Sequence, residues 1–224
     1  MRLSIIMPVL NEAAGIEAAL RALAPLRTRG VEIIVVDGGS NDGTAELARP
    51  LADRVLSAPR GRASQMNAGA AAATGEALLF LHADTRLPDD TDRLIADGLR
   101  RRVWGRFDVR FDDRGWLRLV ALMMNLRSRL TGIATGDHAM FVTRAAFVAA
   151  GGFPPIALME DVALSARLKR RGRPYCLSAP VVTSGRRWRQ RGLWRTILLM
   201  WQLRLRYFLG ADPARLARAY GYEN

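Results

Sequence analysis

Lysine is all but missing from this chain. Of its 34 basic residues only Lys169 is not arginine, a bias that reflects genome base composition and strips arginine identity of any message by itself. Cysteine is nearly missing too. Cys176 stands alone, which excludes an internal disulfide and fits a reducing compartment such as the cytosol. One cysteine and two histidines are too few for a zinc centre of the usual four-ligand kind. Internal repeats, low-complexity linkers and an apolar run long enough to span a bilayer are also lacking. Leu3–Leu10 is apolar but short, has no cleavage site and runs straight into Asn11 and Glu12, so a first core strand is expected there rather than a signal peptide. No glycine-rich phosphate loop follows it, which sets the chain apart from dinucleotide-binding folds.

What is present fits one ordinary α/β domain: 224 residues, half of them hydrophobic, enough for a sizeable core. The net charge of +13 is unevenly spread. Residues 1–100 carry 11 arginines against 13 acids, and the rest carry 23 basic against 8 acidic residues, a net of +15. A cationic second half suits anionic phosphates, nucleic acid or the anionic leaflet of a membrane.

In the first half, strand and helix signals alternate. The pattern predicts strand Leu3–Val9, a helix from about Ala13 to Leu26, strand Val31–Val36, helix Gly43–Leu51, strand Arg54–Ser57, helix Ala63–Ala73, strand Ala77–Leu81 and helix Asp90–Arg101. Such a beat argues for a parallel sheet with right-handed crossovers. Beyond it the rhythm changes. Arg106–Phe111 alternates apolar Phe107, Val109 and Phe111 with Arg106, Asp108 and Arg110, the pattern of a half-exposed strand. An apolar helix is expected over Trp116–Leu130, then strand and turn through GDHAMFVTR, and a helix over Glu160–Arg171 stopped by Gly172 and Pro174. A long arginine-studded segment, Arg186–Leu209, and a short tail close the chain.

Two of the predicted strands are continuous apolar runs that stop at a carboxylate: EIIVVDGGSNDGT at Asp37 and ALLFLHADTRLP at Asp84. Strands of that kind are covered on both faces, and ligands of such sheets collect beyond their carboxyl ends. Two carboxylates aimed there suit a base, a ribose and a metal-bridged diphosphate. Asp37 at a strand end selects an N–H donor such as a base imide. The glycine-rich turn around it is an alternative reason for the loop, and Asp42 doubles as a helix cap.

SIIMPVLNE, VVDGGSNDGT, the His82–Asp84 triplet, GDHAMFV and MEDVALSARLKRRG follow one another in the order and approximate spacing of the family 2 glycosyltransferases. From about Leu3 to Trp188 the chain resembles that family, and within it a small bacterial subgroup linked to arsenosugar biosynthesis. The resemblance implies a single GT-A-type, Rossmann-like α/β domain with a mostly parallel central sheet flanked by helices, plus a C-terminal helical segment. Residues 1–188 would form the transferase domain, with 1–102 as its nucleotide-binding half and 103–188 as its acceptor-binding half. Residues 189–224 would be a basic amphipathic helix and tail.

The resemblance also implies the chemistry: one sugar moved, with inversion, from a nucleotide-diphosphate sugar to a hydroxyl acceptor, small or lipid-linked, with Mn2+ or Mg2+. The donor would meet Pro8, Asn11, Glu12, Asp37, Ser40, Asp42, Arg62, His82, Asp137, Arg187 and Trp188, the last two on an arm over the diphosphate. Asp84 is the implied metal ligand, with His138 a further candidate. His82 departs from the family's first aspartate; it would contact ribose, join the metal, or do neither. Asp161 is the implied general base, with Glu160 positioning it or the acceptor, against the plainer reading of a capped helix start. A longer glutamine-and-tryptophan motif of processive synthases is not seen, so single transfer is expected. Rival readings are a sugar-phosphate nucleotidyltransferase, which would want a glycine- and arginine-rich loop after the first strand, and a basic nucleic-acid or membrane module. The second leaves Asp37, Asp84, Glu160 and Asp161 unexplained, and no nucleic acid is expected. The segment Leu193–Leu209, with Trp194, Trp201 and interspersed arginines, suits an interfacial helix on an inner membrane face or a helix packed on the core.

Overall fold

The parallel part of the sheet is built first. Four strands, β1 (Leu3–Val9), β2 (Glu32–Asp37), β3 (Arg54–Ser57) and β4 (Ala77–Phe80), alternate with helices α1 (Ala13–Thr28), α2 (Thr44–Ala48) and α3 (Arg62–Ala72). In the computed structural model, which describes residues 1–113 and 115–221 and leaves the side chains of residues 187, 190, 191 and 193 outside the described set, β1 pairs in parallel with both β2 and β4, and β2 with β3. Period-two geometry sorts β1 between two cores. Ile5, Met7 and Val9 pack with Ile16, Leu20 and Leu23 of α1, whereas Ile6 packs with Met66 and Ala70 of α3. Each fully buried aliphatic side chain of this kind contributes about 1.5–3 kcal/mol relative to exposure. Gly69 lets α3 lie against the sheet, because a Cβ there would sit 2.4 Å from Ile6 Cγ2.

Beyond β4 the sheet becomes mixed. The later elements are β5 (Thr85–Arg86), α4 (Thr91–Arg101), β6 (Trp104–Phe111), α5 (Leu117–Thr131), β7 (Phe141–Thr143), α6 (Arg144–Ala149), α7 (Glu160–Lys169), β8 (Tyr175–Thr183), α8 (Arg186–Arg191), α9 (Leu193–Phe208) and α10 (Pro213–Tyr220). One eight-stranded sheet results, ordered β3-β2-β1-β4-β7-β6-β8-β5. Within it β7 runs antiparallel to β4 and β6, β5 antiparallel to β8, and β8 parallel to β6. The expected α/β class with helices on both faces holds.

Several local expectations change. GDHAMFVTR is a single 3-10 turn over Gly136–His138, then β7, then α6, which Thr143 caps by accepting from Ala146 N–H at 3.2 Å. The arginine-studded segment is two helices that meet at Gly192 (φ 81°), and the tail carries α10. Arg106 was expected on the exposed face of its strand and is fully buried instead. It pairs with Asp108 and donates to the carbonyls of Phe107 and Asn125, both at 3.1 Å. Just past it the β6–β8 register shifts between Phe107 and Asp108, and the Asn125 amide on α5 bonds both backbone groups of Val109, at 2.9 and 3.0 Å.

Helix α9 has one packed side and one bare side. The inner side of α9, through Leu199, Leu203 and Tyr207, packs on Leu158, Met159 and α10. Its outer side leaves Trp194 (72% exposed), Leu198, Trp201 (68%), Leu205 and Phe208 bare. Helix α5 does the same with Trp116, Leu119, Met123, Leu126 and Leu130. No helix among the described residues is long and apolar enough to cross a membrane.

Candidate active site

Two clusters of predicted residues gather at the carboxyl ends of β1, β2 and β4. The first is made by the loops after β1 and β2. Asp37 is buried, and its carboxylate accepts from the N–H groups of Gly39 and Ser40, each at 3.0 Å, and from the Ser40 hydroxyl. Its own turn therefore engages it more fully than the sequence indicated. Ser40 Oγ in turn accepts from Asn11 N–H at 2.9 Å, and Asn11 Oδ1 accepts from Asn41 N–H at 3.1 Å. Asp42 accepts from Ala13 N–H at 3.0 Å and from Thr44 N–H and hydroxyl at 3.1 and 2.5 Å, so it secures the starts of α1 and α2 together. These bonds hold its carboxyl below the usual range, the Thr44 hydroxyl most of all. Gln65, whose part in this clasp the sequence did not disclose, donates from one amide nitrogen to the carbonyls of Val9 and Val36, both at 2.8 Å. Pro8 lies in β1 beyond the last residue paired with β4, where its missing N–H costs no ladder bond on that side. Glu12 is half-buried; burial pushes its carboxyl up, Arg186 opposes that, and Asp84 and Asp42 add to it.

The second cluster lies across β4. Arg62 Nε is 3.3 Å from Glu160 Oε1 at the start of α7, and Glu160 is 3% exposed. Burial drives the Glu160 carboxyl up to about 7, with Arg62 pulling it down and Asp161 raising it further. Asp161 Oδ2 accepts from Gly136 N–H at 2.7 Å. The His82 ring stacks against that same glycine, where a Cβ would fall 2.5 Å from Cε1, so no other residue fits without moving the ring. His82 Nδ1 is 3.9 Å from Asp137 Oδ1. Burial and then Arg62 lower the His82 pKa against Asp137, Asp84 and Asp161, which favours the neutral imidazole. Met66, Phe80, Met140 and Phe153 line the cleft, which holds about 10 Å3 and leaves room for roughly one water molecule. A larger cavity of about 420 Å3, lined by Leu94, Arg100, Arg101 and Tyr175, gathers none of the predicted residues.

Asp84 is exposed at the turn between β4 and β5 and acts electrostatically on both Glu12 and His82, so it stands between the clusters. Backbone strain collects in the same region. Among the described residues the non-glycine positions with positive φ are Asn11 (54°), Ala139 (45°) and Met159 (70°), beside the first loop, the Gly136–His138 turn and Glu160. Such backbone costs of order 1–3 kcal/mol per residue and persists where the surroundings over-determine it.

Three predicted residues are set apart. His138 is fully buried beneath the turn, with Nδ1 2.9 Å from the Thr135 hydroxyl. Burial, Arg106 and Arg127 hold its pKa well below the ordinary value, and Arg204 adds to this, so the ring is neutral. Trp188 is packed edge-on against Phe111 at 5.8 Å between ring centroids, which anchors it to the core instead of on a free arm. The side chain of Arg187 lies outside the described residues.

A divalent ion would find few protein ligands here. Among the described residues no group of three or more histidine, cysteine, aspartate or glutamate side chains could hold one. Asp84, whose carboxylate is touched by the Thr85 hydroxyl at 3.3 Å, fits the alternative of a hard ion held mostly by substrate oxygens and water.

The sequence profile of Glycosyl transferase family 2 matches residues 4–149. Among curated proteins, the chain is 38% identical over 110 residues to the succinoglycan biosynthesis protein ExoA of Rhizobium meliloti (strain 1021), covering 42% of this chain and 32% of that one. It is 30% identical over 149 residues to an undecaprenyl-phosphate 4-deoxy-4-formamido-L-arabinose transferase of Pseudomonas aeruginosa, covering 60% and 44%. The chain thus spans less than half the length of these relatives. Among solved structures, it superposes with a TM-score of 0.66 on the mannosyltransferase PcManGT from Pyrobaculum calidifontis in complex with GDP-Man and Mn2+, at 22% identity over 99% of this chain and 69% of that one. At that identity the likeness establishes the fold alone.

Proposed function

This chain belongs to glycosyl transferase family 2, and on that premise we propose that it moves one sugar from a nucleotide-diphosphate sugar to a hydroxyl acceptor, with inversion at the anomeric carbon. The observation that carries this reading is the meeting of Arg62, His82, Asp137, Glu160 and Asp161 across β4 from the loops of Asp37 and Asp42. Residues 1–102 take the nucleotide, residues 103–188 take the acceptor, and residues 189–224 hold the protein against an anionic membrane surface.

In this mechanism Asp37 and the loop of Asn11, Glu12, Ser40 and Asp42 hold the nucleoside. Its turn fixes Asp37, so the carboxylate is aimed before the donor arrives. Asp84 would hold Mn2+ or Mg2+, and that ion would supply charge neutralisation at the diphosphate. Arg62 offsets charge that builds on the departing diphosphate. Neutral His82, held by Gly136, borders the sugar between Asp84 and Asp137. Asp161 takes the acceptor hydroxyl proton as the new bond forms; Gly136 N–H fixes its Oδ2 at 2.7 Å. Glu160, behind it, ties α7 to Arg62. The narrow cleft leaves no space for a sugar ring, so the donor lies along the exposed rim where Asp84 stands.

The membrane part of the reading rests on the bare tryptophan- and leucine-rich faces of α5 and α9 and on charge. From residue 114 to residue 211 the acids are Asp137, Glu160 and Asp161 alone, all in the site, so both faces are rimmed by arginine without acid. A thermal-shift screen over nucleotide diphosphates and their sugars with Mn2+ tests the donor reading. A ligand that binds only the folded state raises the midpoint, and the expected result is a rise with one base that Asp37→Ala removes. No rise with any nucleotide would defeat it.

A further inference from the structure

Helix α3 reaches both halves of the site. Its first residue, Arg62, meets Glu160 of α7, and Met66, one turn on, lines the cleft. Gln65 holds the carboxyl ends of β1 and β2 through the carbonyls of Val9 and Val36. Asn67 turns instead to the loop between α6 and α7. Its Nδ2 donates to Phe153 O at 2.8 Å, and its Oδ1 accepts from Phe153 N–H at 3.0 Å. One side chain thus satisfies both backbone groups of a residue 86 positions away, as a paired strand would. Gly152 makes room for it: its φ is 63°, and a Cβ there would sit 2.8 Å from Asn67 Oδ1.

Phe153 opens the segment that leads into α7. Its ring stands edge-on against Phe80 at the end of β4, 4.8 Å between centroids, and closes one side of the cleft. Pro154 and Pro155 follow, each with φ restricted by its ring, and the segment ends at Met159, whose φ of 70° is strained. Strain of that kind persists only where the surroundings over-determine it. Beyond it, Ser165 Oγ accepts from Ala134 N–H and donates to Ala134 O, both at 3.1 Å, two residues before the glycine that holds Asp161. Arg167 of α7 donates back to the carbonyls of Ala150 and Gly152, both at 3.4 Å. The loop and α7 therefore brace each other, and Asn67 ties that pair to α3.

We infer that Asn67 is a positioning residue for transfer: by bonding both backbone groups of Phe153 it fixes the segment leading into α7, and with it Asp161, to the helix that carries Arg62. This deepens the transferase reading and rests on its assignment of Asp161 as base. The Arg62–Glu160 contact sets one distance and leaves α7 free to pivot about it. The paired amide at Phe153 adds a second point and stops the pivot. A misplacement of about 1 Å at a reacting group costs on the order of a hundredfold in rate. Loss of this point therefore acts on transfer, while the nucleotide loops, held by Gln65 and by their own bonds, keep their shape.

Hydrolysis of the donor, with water in place of the acceptor hydroxyl, tests this without an identified acceptor. The bond from the anomeric carbon to the diphosphate oxygen breaks, a water oxygen bonds to that carbon, and Asp161 takes the proton. UDP-glucose and GDP-mannose, each with Mn2+, are the probes. Asn67→Ala is expected to lower kcat by about tenfold to a hundredfold, with KM and the affinity for the nucleotide diphosphate unchanged. Gly152→Ala disturbs the same contact from the other side, so the two changes together are expected to cost no more than the worse one alone. Asn67→Asp keeps the bond from Phe153 N–H and loses the other; its kcat is expected in between, and it carries the test if Asn67→Ala does not fold. Amide hydrogen exchange reads the anchor apart from turnover: Asn67→Ala is expected to speed it over residues 150–162 and to leave residues 37–44 as in wild type. An unchanged kcat, a kcat loss matched by lost nucleotide affinity, effects that multiply, or unchanged exchange over residues 150–162 would each overturn the inference. Wild type that binds neither nucleotide defeats the donor reading instead, and exchange alone then decides the anchor.

Discussion

Around Asp37 and Asp42 the carboxylates already have their donors, from backbone N–H groups and from the Ser40 and Thr44 hydroxyls within the same two loops. On the other side of β4 the balance is reversed. Glu160 is buried with a pKa of about 7, and Arg127, Arg204 and His138 keep N–H groups that meet no acceptor among the described residues. The first loop is held by its own bonds, and the second region leaves buried donors without a partner among the described residues. A preformed loop fits a nucleotide whose shape varies little. The charge distribution says the same at lower resolution: net −2 over residues 1–100 and +15 beyond.

Four changes would break or sharpen that contrast. Asp84→Asn should have the largest effect, abolishing turnover while the fold survives, because Asp84 is the proposed hard oxygen ligand between the halves; full activity of that variant, or of wild type in chelator, would remove the metal from the account. Gly136→Ala comes next. Its Cβ would lie 2.5 Å from the His82 ring, on the residue whose N–H holds Asp161, so transfer should fall on the order of tenfold to a hundredfold with little change in melting temperature. An unaffected rate would mean that the His82–Gly136–Asp161 contact does not matter.

Glu160→Gln probes burial through pH. The folded-state pKa of about 7 lies above the ordinary 4.5, so between those values the folded protein binds more protons than the unfolded chain. Wild-type stability from this group is therefore lost as pH rises through that window and stays lost above it. The variant should gain stability relative to wild type between about pH 5 and about pH 8, measured by denaturant titration; a pH-independent difference would show that Arg62 keeps Glu160 charged throughout. The smallest effect on stability is expected from Trp194→Ala with Trp201→Ala, within about 0.5 kcal/mol because both rings are exposed. The same pair should lose much of its sedimentation with phosphatidylglycerol vesicles, and wild type should be released only partly by salt, since the apolar share of binding is not screened. Wild type that ignores such vesicles would contradict the membrane reading.

The parallel half of the fold was legible because its strands are buried on both faces, which turns LSIIMPV and EIIVVD into unbroken apolar runs. Strand β8 was not, because YCLSAPVVT carries Ser178 and Pro180 and is only partly covered, with two-residue β5 beyond it at the sheet edge. Arg106 defeated its alternation because Asp108 and two carbonyls satisfy it inside. Within the site, the loop residues announced themselves by position after a strand. The complete burial of His138 beneath its turn was not legible, since an Asp-His pair in sequence carries no sign of depth. Arg127 and Arg204 were illegible for a simpler reason: on α5 and α9 they look like the polar stripe of a surface helix, and only packing turns them inward.

The division between a donor half and an acceptor half served by Asp161 is tested most directly by Asp161→Asn, with nucleotide-sugar affinity and single-turnover transfer measured on the same preparation. The account predicts unchanged affinity and a transfer rate lower by roughly a hundredfold or more, as for a lost general base. Affinity that falls in step while transfer from the bound complex stays intact would contradict it and move Asp161 to the donor side.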